Sequence, residues 1–340
     1  MILPQNLKKT TKTLKNPPKP KPTQYLTDFN PADKPWDSHK DESRNVSGIY
    51  KTIAEFESYA LRMHDCGGLL GFGWSNDAAT GESKLRLREA HFCRCRYCPV
   101  CQWRRALMWQ ARFYQALPKI VESHQSARWV FLTLTLRNCE IAELGTTITA
   151  MNAAFKKLKD RKEFKPILGW VRTTEVTRGA DGSAHPHFHT LMMVKASFFN
   201  RNYVKQSRWV ELWAECLQVN YLPSVDIRTV KAKPSKKNPD VGLVENLQAA
   251  VSETLKYAVK PSDMVVDPAW FLELTKQSHK RRFVATGGIL KNILKLADET
   301  DADLALADSD NLAEDDGSRI AFDWASEKKK YKRSPKHDKK

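Results

Sequence analysis

The chain of 340 residues carries 56 Lys and Arg against 39 Asp and Glu, a formal net charge of +17, and is 41% hydrophobic. That length allows one large domain or two modest ones with a real core, and that charge points to a polyanionic partner, nucleic acid first among them. No stretch approaches the roughly eighteen apolar residues of a membrane span. The short apolar start of MILPQNLKKTTKTLK is followed by no small-residue cleavage site, so a reducing cytoplasm and no membrane partner are expected. There, seven cysteines argue for metal or catalysis rather than disulfides.

Residues 1–45, rich in Lys and Pro (KNPPKPKPTQ), read as a disordered basic arm. Residues 46–118 read as a cysteine-rich, zinc-type DNA-binding module. It holds a helical pattern (TIAEFESYALRMHDC), a Gly-rich stretch, a strand (KLRLREAHF) and a helix leaving the cluster CRCRYCPVC. The segment 119–295 opens with a strand at 129–136 (WVFLTLTL) and a helix (TTITAMNAAFKKLKDR). Strands at 169–177 and 185–194 (HPHFHTLMMV) follow, joined by a turn with a DG pair, and read as a hairpin. A helix (KQSRWVELWAECLQ), a strand at 224–231 and a helix (VENLQAAVSETLKYAVK) stopped by Pro261 complete it. This β-α-β-β-α-β-α order predicts an α+β, ferredoxin-like fold, an antiparallel central sheet with helices mainly on one face. Residues 296–340, first acidic and then basic, read as a charged, disordered tail.

HPHFH puts His185, His187 and His189 at alternate positions of one strand, hence on one face. Glu175 lies on the preceding hairpin strand. Two imidazoles and a carboxylate make an N/O site open on one side, suited to Mg²⁺ or Mn²⁺ when a phosphate supplies further ligands. His187 and His189 are favoured because Phe188 between them points to the core, while His185, before a proline at the strand start, is a possible third. In the helix, Glu253 and Tyr257 are four apart and share a face, with Lys256 and Lys260 close by. A phenol near pKa ~10 is a weak nucleophile unless an ammonium or metal favours the phenolate. Taken alone, a Glu-x3-Tyr pair carries no chemistry.

Together these motifs resemble the replication initiator (Rep) proteins of small bacterial rolling-circle plasmids, within the His-hydrophobe-His (HUH) endonuclease superfamily. FLTLTL at 131–136, HPHFHTL at 185–191 and ETLKYAVK at 253–260 match its three motifs in order, and the resemblance extends over roughly residues 55–292. It implies an HUH nuclease fold that nicks single-stranded or hairpin DNA at the plasmid origin. Tyr257 would be the nucleophile joining the 5′-phosphate, and His187, His189 and Glu175 the divalent-metal ligands. Glu253 would direct water at termination and Lys260 would steady the phosphate or phenolate. A host helicase and a host polymerase would use the freed 3′-OH. A transposase or relaxase of the same superfamily shares this layout.

CPVC is a two-thiolate knuckle suited to structural Zn²⁺. A fully local four-cysteine site is tight, so Cys66 and Cys93 are preferred to complete Cys98 and Cys101, and similar initiators share these positions. Cys95 is an extra candidate, and His64 or His91 could substitute; Cys139 and Cys216 read as core. The helix leaving the knuckle carries Arg104 and Arg105, candidate DNA contacts along with Lys256. Other readings are a CPVC redox pair, a non-catalytic zinc-dependent DNA-binding regulator, and an iron oxygenase whose third histidine would be His279, which sits poorly among KRR.

Overall fold

The computed structural model describes residues 24–76, 81, 83–200, 203–230, 241–256, 258–294, 299–307 and 317–339. The N-terminal part contains α1 (Leu26–Phe29), α2 (Lys34–Tyr50), α3 (Glu57–Asp65), β1 (Leu69–Asn76), β2 (Ser83–Ala90) and α4 (Pro99–Ser123). Then follow β3 (Arg128–Thr135), α5 (Leu144–Lys159), β4 (Ile167–Arg178), β5 (Ala184–Val194), α6 (Gln206–Leu217), β6 (Val225–Thr229) and α7 (Val241–Thr254). Last come α8 (Pro261–Val266), α9 (Pro268–Gln277), β7 (Val284–Gly288), α10 (Asp301–Ala305), β8 (Ile320–Ala325) and β9 (Lys330–Arg333).

The fold is α+β with two antiparallel sheets. The larger has the order β6-β3-β5-β4-β7, so the histidine strand β5 is central. Its alternating residues divide between two cores. Val130, Leu132, Leu134, Phe188, Met192 and Val194 pack under α5 and α6 with Phe155, Trp209 and Trp213. On the opposite face Trp129, Val171, Leu191 and Met193 meet Phe113 and Leu117 of α4 and Leu247, Val251 and Leu255 from α7 and its end. The expected cover of one face is thus supplied by α5 and α6, and the other face is covered only in part, by α4 and α7. Pro186 lies near the start of β5, beyond the last β3 pair (Thr135 with His187), where a missing N–H is tolerated.

Three expectations are corrected. Residues 34–50 of the supposed arm and its border are helix α2, which buries Trp36, Lys40, Ser43, Ser47 and Tyr50; residues 1–23 lie outside the described residues. The supposed tail contributes the β8–β9 hairpin, which pairs with β1 to give the second sheet, β2-β1-β8-β9, because Phe322 and Tyr331 bury fully in its core. Lastly, α7 ends at Thr254 rather than running to 260, and the chain restarts as α8 with Pro261 at its first turn. The boundary drawn at 118/119 falls inside α4, a helix about 37 Å long. It begins at the cysteine knuckle and ends on the large sheet, tying the two regions together.

Candidate active site

In the β4–β5 ladder Glu175 stands opposite His187 and Thr173 opposite His189, so the three candidate ligands share one face. Glu175 Oε2 lies 2.8 Å from His189 Nε2 and 3.2 Å from His187 Nε2. His187 Nδ1 lies 3.3 Å from the His185 carbonyl oxygen. His189 Nδ1 is 3.4 Å from Thr133 Oγ1, and its ring lies against Phe131. Each imidazole is held through Nδ1 and offers Nε2, the arrangement of a metal-ligating histidine with its outer partner. Glu175 and His189 are buried, and His185 stays outside the ligand group.

Two imidazole nitrogens and a carboxylate oxygen thus converge on one small volume. Ligands about 2.1 Å from an octahedral ion stand about 3.0 Å apart at adjacent positions, close to the separations seen here. The donor set therefore fits a small divalent ion. A second cation is already beside it. Lys256 Nζ lies 3.1 Å from Glu175 Oε2 and 2.7 Å from Glu253 Oε1, bridging the two candidate carboxylates. Burial alone would raise the Glu175 carboxyl, but the contacts from His187 and His189 and the Lys256 ammonium outweigh it and hold it well below the usual carboxylate range.

The chain just after α7 is tied to the glutamate strand on either side of position 257. Thr173 Oγ1 donates to the Thr254 carbonyl (2.5 Å), and the Val176 N–H donates to the Ala258 carbonyl (2.9 Å). Tyr257 itself lies outside the described residues. Helix α7 ends at Thr254, so Glu253 lies in its last turn, and the face expected to join Glu253 with Tyr257 falls outside the described residues. Glu253 closes the last turn half-exposed, and Lys260 is an exposed residue at the start of α8.

Comparison with known proteins decides the family. A replication protein family model matches residues 84–332. The chain belongs to the replication protein (Rep) family. A "Protein rep" from Streptococcus pneumoniae is 32% identical over 308 residues, covering 88% of this chain and 92% of its own. Another from Lactiplantibacillus plantarum is 35% identical over 317 residues (88% and 95%), and one from a Bacillus species is 38% identical over 267 (72% and 83%). No solved structure matches. Among the described residues no helix is long and apolar enough to cross a membrane.

The Rep chain's second group lies at the knuckle. Cys66, Cys93, Cys98 and Cys101 are all buried, with Sγ atoms 3.5 Å (Cys66–Cys101), 3.6 Å (Cys93–Cys101) and 3.6 Å (Cys66–Cys98) apart. Four thiolates about 2.3 Å from a tetrahedral ion stand about 3.8 Å apart, so the group fits Zn²⁺. Cys95 is buried but outside the group, and His64 and His91 are exposed beside Asp65 and Asp301. Pro99 at the first turn lets α4 start directly from Cys98.

The arginines on α4 have different work from that expected. Arg104 is fully buried between Trp36 and Trp103 and donates to the Leu304 and Ala305 carbonyls, closing the end of α10. A guanidinium so enclosed reaches no DNA, which corrects its assignment as a contact. Arg105 makes a fork of two 2.6 Å bonds to Glu299. The reading missed Lys256 as the partner of Glu175, since nothing in the local spacing joins residues 81 positions apart.

Proposed function

We propose that the protein initiates rolling-circle replication of a plasmid in the cytoplasm by nicking one strand of its origin DNA. The observation that carries this reading is the convergence of His187 Nε2 and His189 Nε2 on Glu175 Oε2, with the end of α7 tied to the same strand. Glu175, His187 and His189 would hold Mg²⁺ or Mn²⁺, which supplies positive charge to the scissile phosphate. Tyr257 attacks phosphorus through its phenolic oxygen. The bond from phosphorus to the 3′ oxygen breaks, leaving a 3′-OH primer for a host polymerase, with a host helicase opening the duplex. The 5′ end stays on the tyrosine as a phosphodiester whose energy serves the later rejoining. Lys256 bridges Glu175 and Glu253, and Glu253 directs the water that ends the cycle. Lys260 steadies the phosphate. Zn²⁺ on the four cysteines would hold the knuckle from which α4 starts.

The test is a supercoiled plasmid carrying the protein's own origin, incubated with Mn²⁺. Conversion to open circle by the wild type and not by His189→Ala is expected. Tight origin binding with no nick would support a zinc-dependent regulator instead.

A further inference from the structure

A seam runs between the cysteine knuckle and the end of the large sheet, and none of the motifs accounts for it. Two clefts lie along it, about 400 Å³ and 870 Å³, and they share the side chains of Arg94 and Arg96. Together they are lined by nine Lys or Arg residues and one carboxylate, Glu55. The smaller cleft has no acidic lining residue among those described, and it reaches Lys256, the ammonium 3.1 Å from Glu175 Oε2.

The lining is more than charge. Trp109 lines the smaller cleft beside Phe283, whose ring lies under the Arg96 guanidinium (4.6 Å), and Tyr59 lines the larger. Gln102, 6% exposed, borders the smaller cleft with a side-chain amide that has no hydrogen-bond partner among the described residues. Basic walls with aromatic side chains among them are the requirements of a single nucleic-acid strand. A volume near 400 Å³ suits one small ligand or one nucleotide, and a duplex does not fit.

The geometry points to a track for an unpaired DNA strand along this seam, the smaller cleft holding one nucleotide next to the scissile phosphate and the larger cleft its neighbours. This rests on the reading that the Glu175 site acts on a DNA strand. Arg94 and Arg105 pair with Asp301 and Glu299, and Arg96 donates to the Ser278 and Arg281 carbonyls, so these form the walls. Lys280 and Arg282 are exposed and make no ion pair among the described residues, which leaves them for phosphates.

The test uses the full chain with Tyr257→Phe, in EDTA-free buffer without divalent metal, so that no strand is cut. A labelled mixed-sequence single strand is titrated by fluorescence anisotropy at several salt concentrations, with and without Lys280→Glu and Arg282→Glu. The double change should weaken single-strand binding at least about tenfold and reduce the salt slope by about 1.4, two phosphates' worth. Single-strand affinity and slope unchanged, or loss confined to duplex binding, would overturn the track. A strand bearing 5-iodouracil and cross-linked to the Tyr257→Phe chain gives a measure independent of the charge changes. Cross-links on the peptides of Trp109 or Phe283 support the track, and cross-links only elsewhere refute it. If the wild type forms no tyrosyl–DNA link with Mn²⁺ while both results hold, the nicking reading fails and the track stands.

Discussion

The Cys66–Cys93–Cys98–Cys101 group and the Glu175–His187–His189 group each bring ligand atoms within 4.8 Å of one another, yet they differ in closure and in surroundings. Four soft donors make the first complete, with no position left for a substrate. They come from α3's end, the strand-to-helix loop and α4, and Ser43 of α2 touches Cys98 (Oγ–Sγ 3.3 Å). Lys40 of α2 donates to the Cys66 carbonyl (2.6 Å). An ion there would reinforce segments already joined by the Gly67 N–H on the His91 carbonyl (2.7 Å) and the Arg62 guanidinium on the Cys93 carbonyl. The second group has three harder donors on the partly covered face of a sheet whose other face is packed by Phe188 and its neighbours. Under the proposed reading, the closed group would serve folding and the incomplete one chemistry.

The largest expected effect falls on the closed group. Cys98→Ser should lower the thermal midpoint by ten degrees or so, or abolish cooperative unfolding, and release the bound metal. Structural zinc binding amounts to roughly 10–16 kcal/mol of folding free energy. Wild-type melting with the metal gone would erase the distinction. Next comes Phe188→Ala, which should cost about 3–5 kcal/mol in urea titrations because the ring is fully buried beneath the histidines. His189→Ala sharpens the contrast in the opposite sense. It should keep its melting temperature within a few degrees and lose nicking by about a hundredfold or more, roughly 2.7 kcal/mol of barrier.

Smaller effects follow from Lys256 and Glu175. Lys256→Met removes the ammonium competing for Glu175 Oε2, so Mn²⁺ binding followed by electron paramagnetic resonance should tighten several-fold while nicking falls. In protein without added divalent metal, Glu175 has a folded pKa depressed below its unfolded value. Its stabilisation is therefore present above the ordinary carboxylate range, near pH ~4.3, and is lost as pH falls through the depressed folded value. Glu175→Gln should flatten that acid limb when urea midpoints are compared between pH 3 and 7, and an unchanged limb would remove Glu175 from the balance.

Four strands of the large sheet were legible because they repeat with period 2 and are bounded by turns, whereas its edge strand β7 was not read. The 129–136, 169–177 and 185–194 readings fall within two residues of β3, β4 and β5. The ligand triads were legible for the same reason, since His187, His189 and Glu175 are fixed by alternation and one hairpin register. Helix α2 was not. Its buried positions 36, 40, 43, 47 and 50 keep helical spacing, but two are Ser and one is Lys, so hydropathy reads the segment as solvated. Spacing without polarity would have found it. The β8–β9 hairpin was hidden likewise, since Lys330, Lys332 and Arg333 surround the single buried Tyr331. The end of α7 at Thr254 carries no Gly or Pro there, and it is set by Thr173 and Val176 binding the carbonyls around it, a tertiary cause with no local signal.

The most direct test of the central claim is to locate the covalent bond. The protein is incubated with Mn²⁺ and single-stranded DNA from its own origin, treated with nuclease and trypsin, and its peptides are read by mass spectrometry. The account requires a residual nucleotide on the peptide that begins at Tyr257, absent when His189→Ala or Tyr257→Phe is used. A nucleotide on Tyr203 or Tyr221, or an adduct that survives Tyr257→Phe, would contradict it.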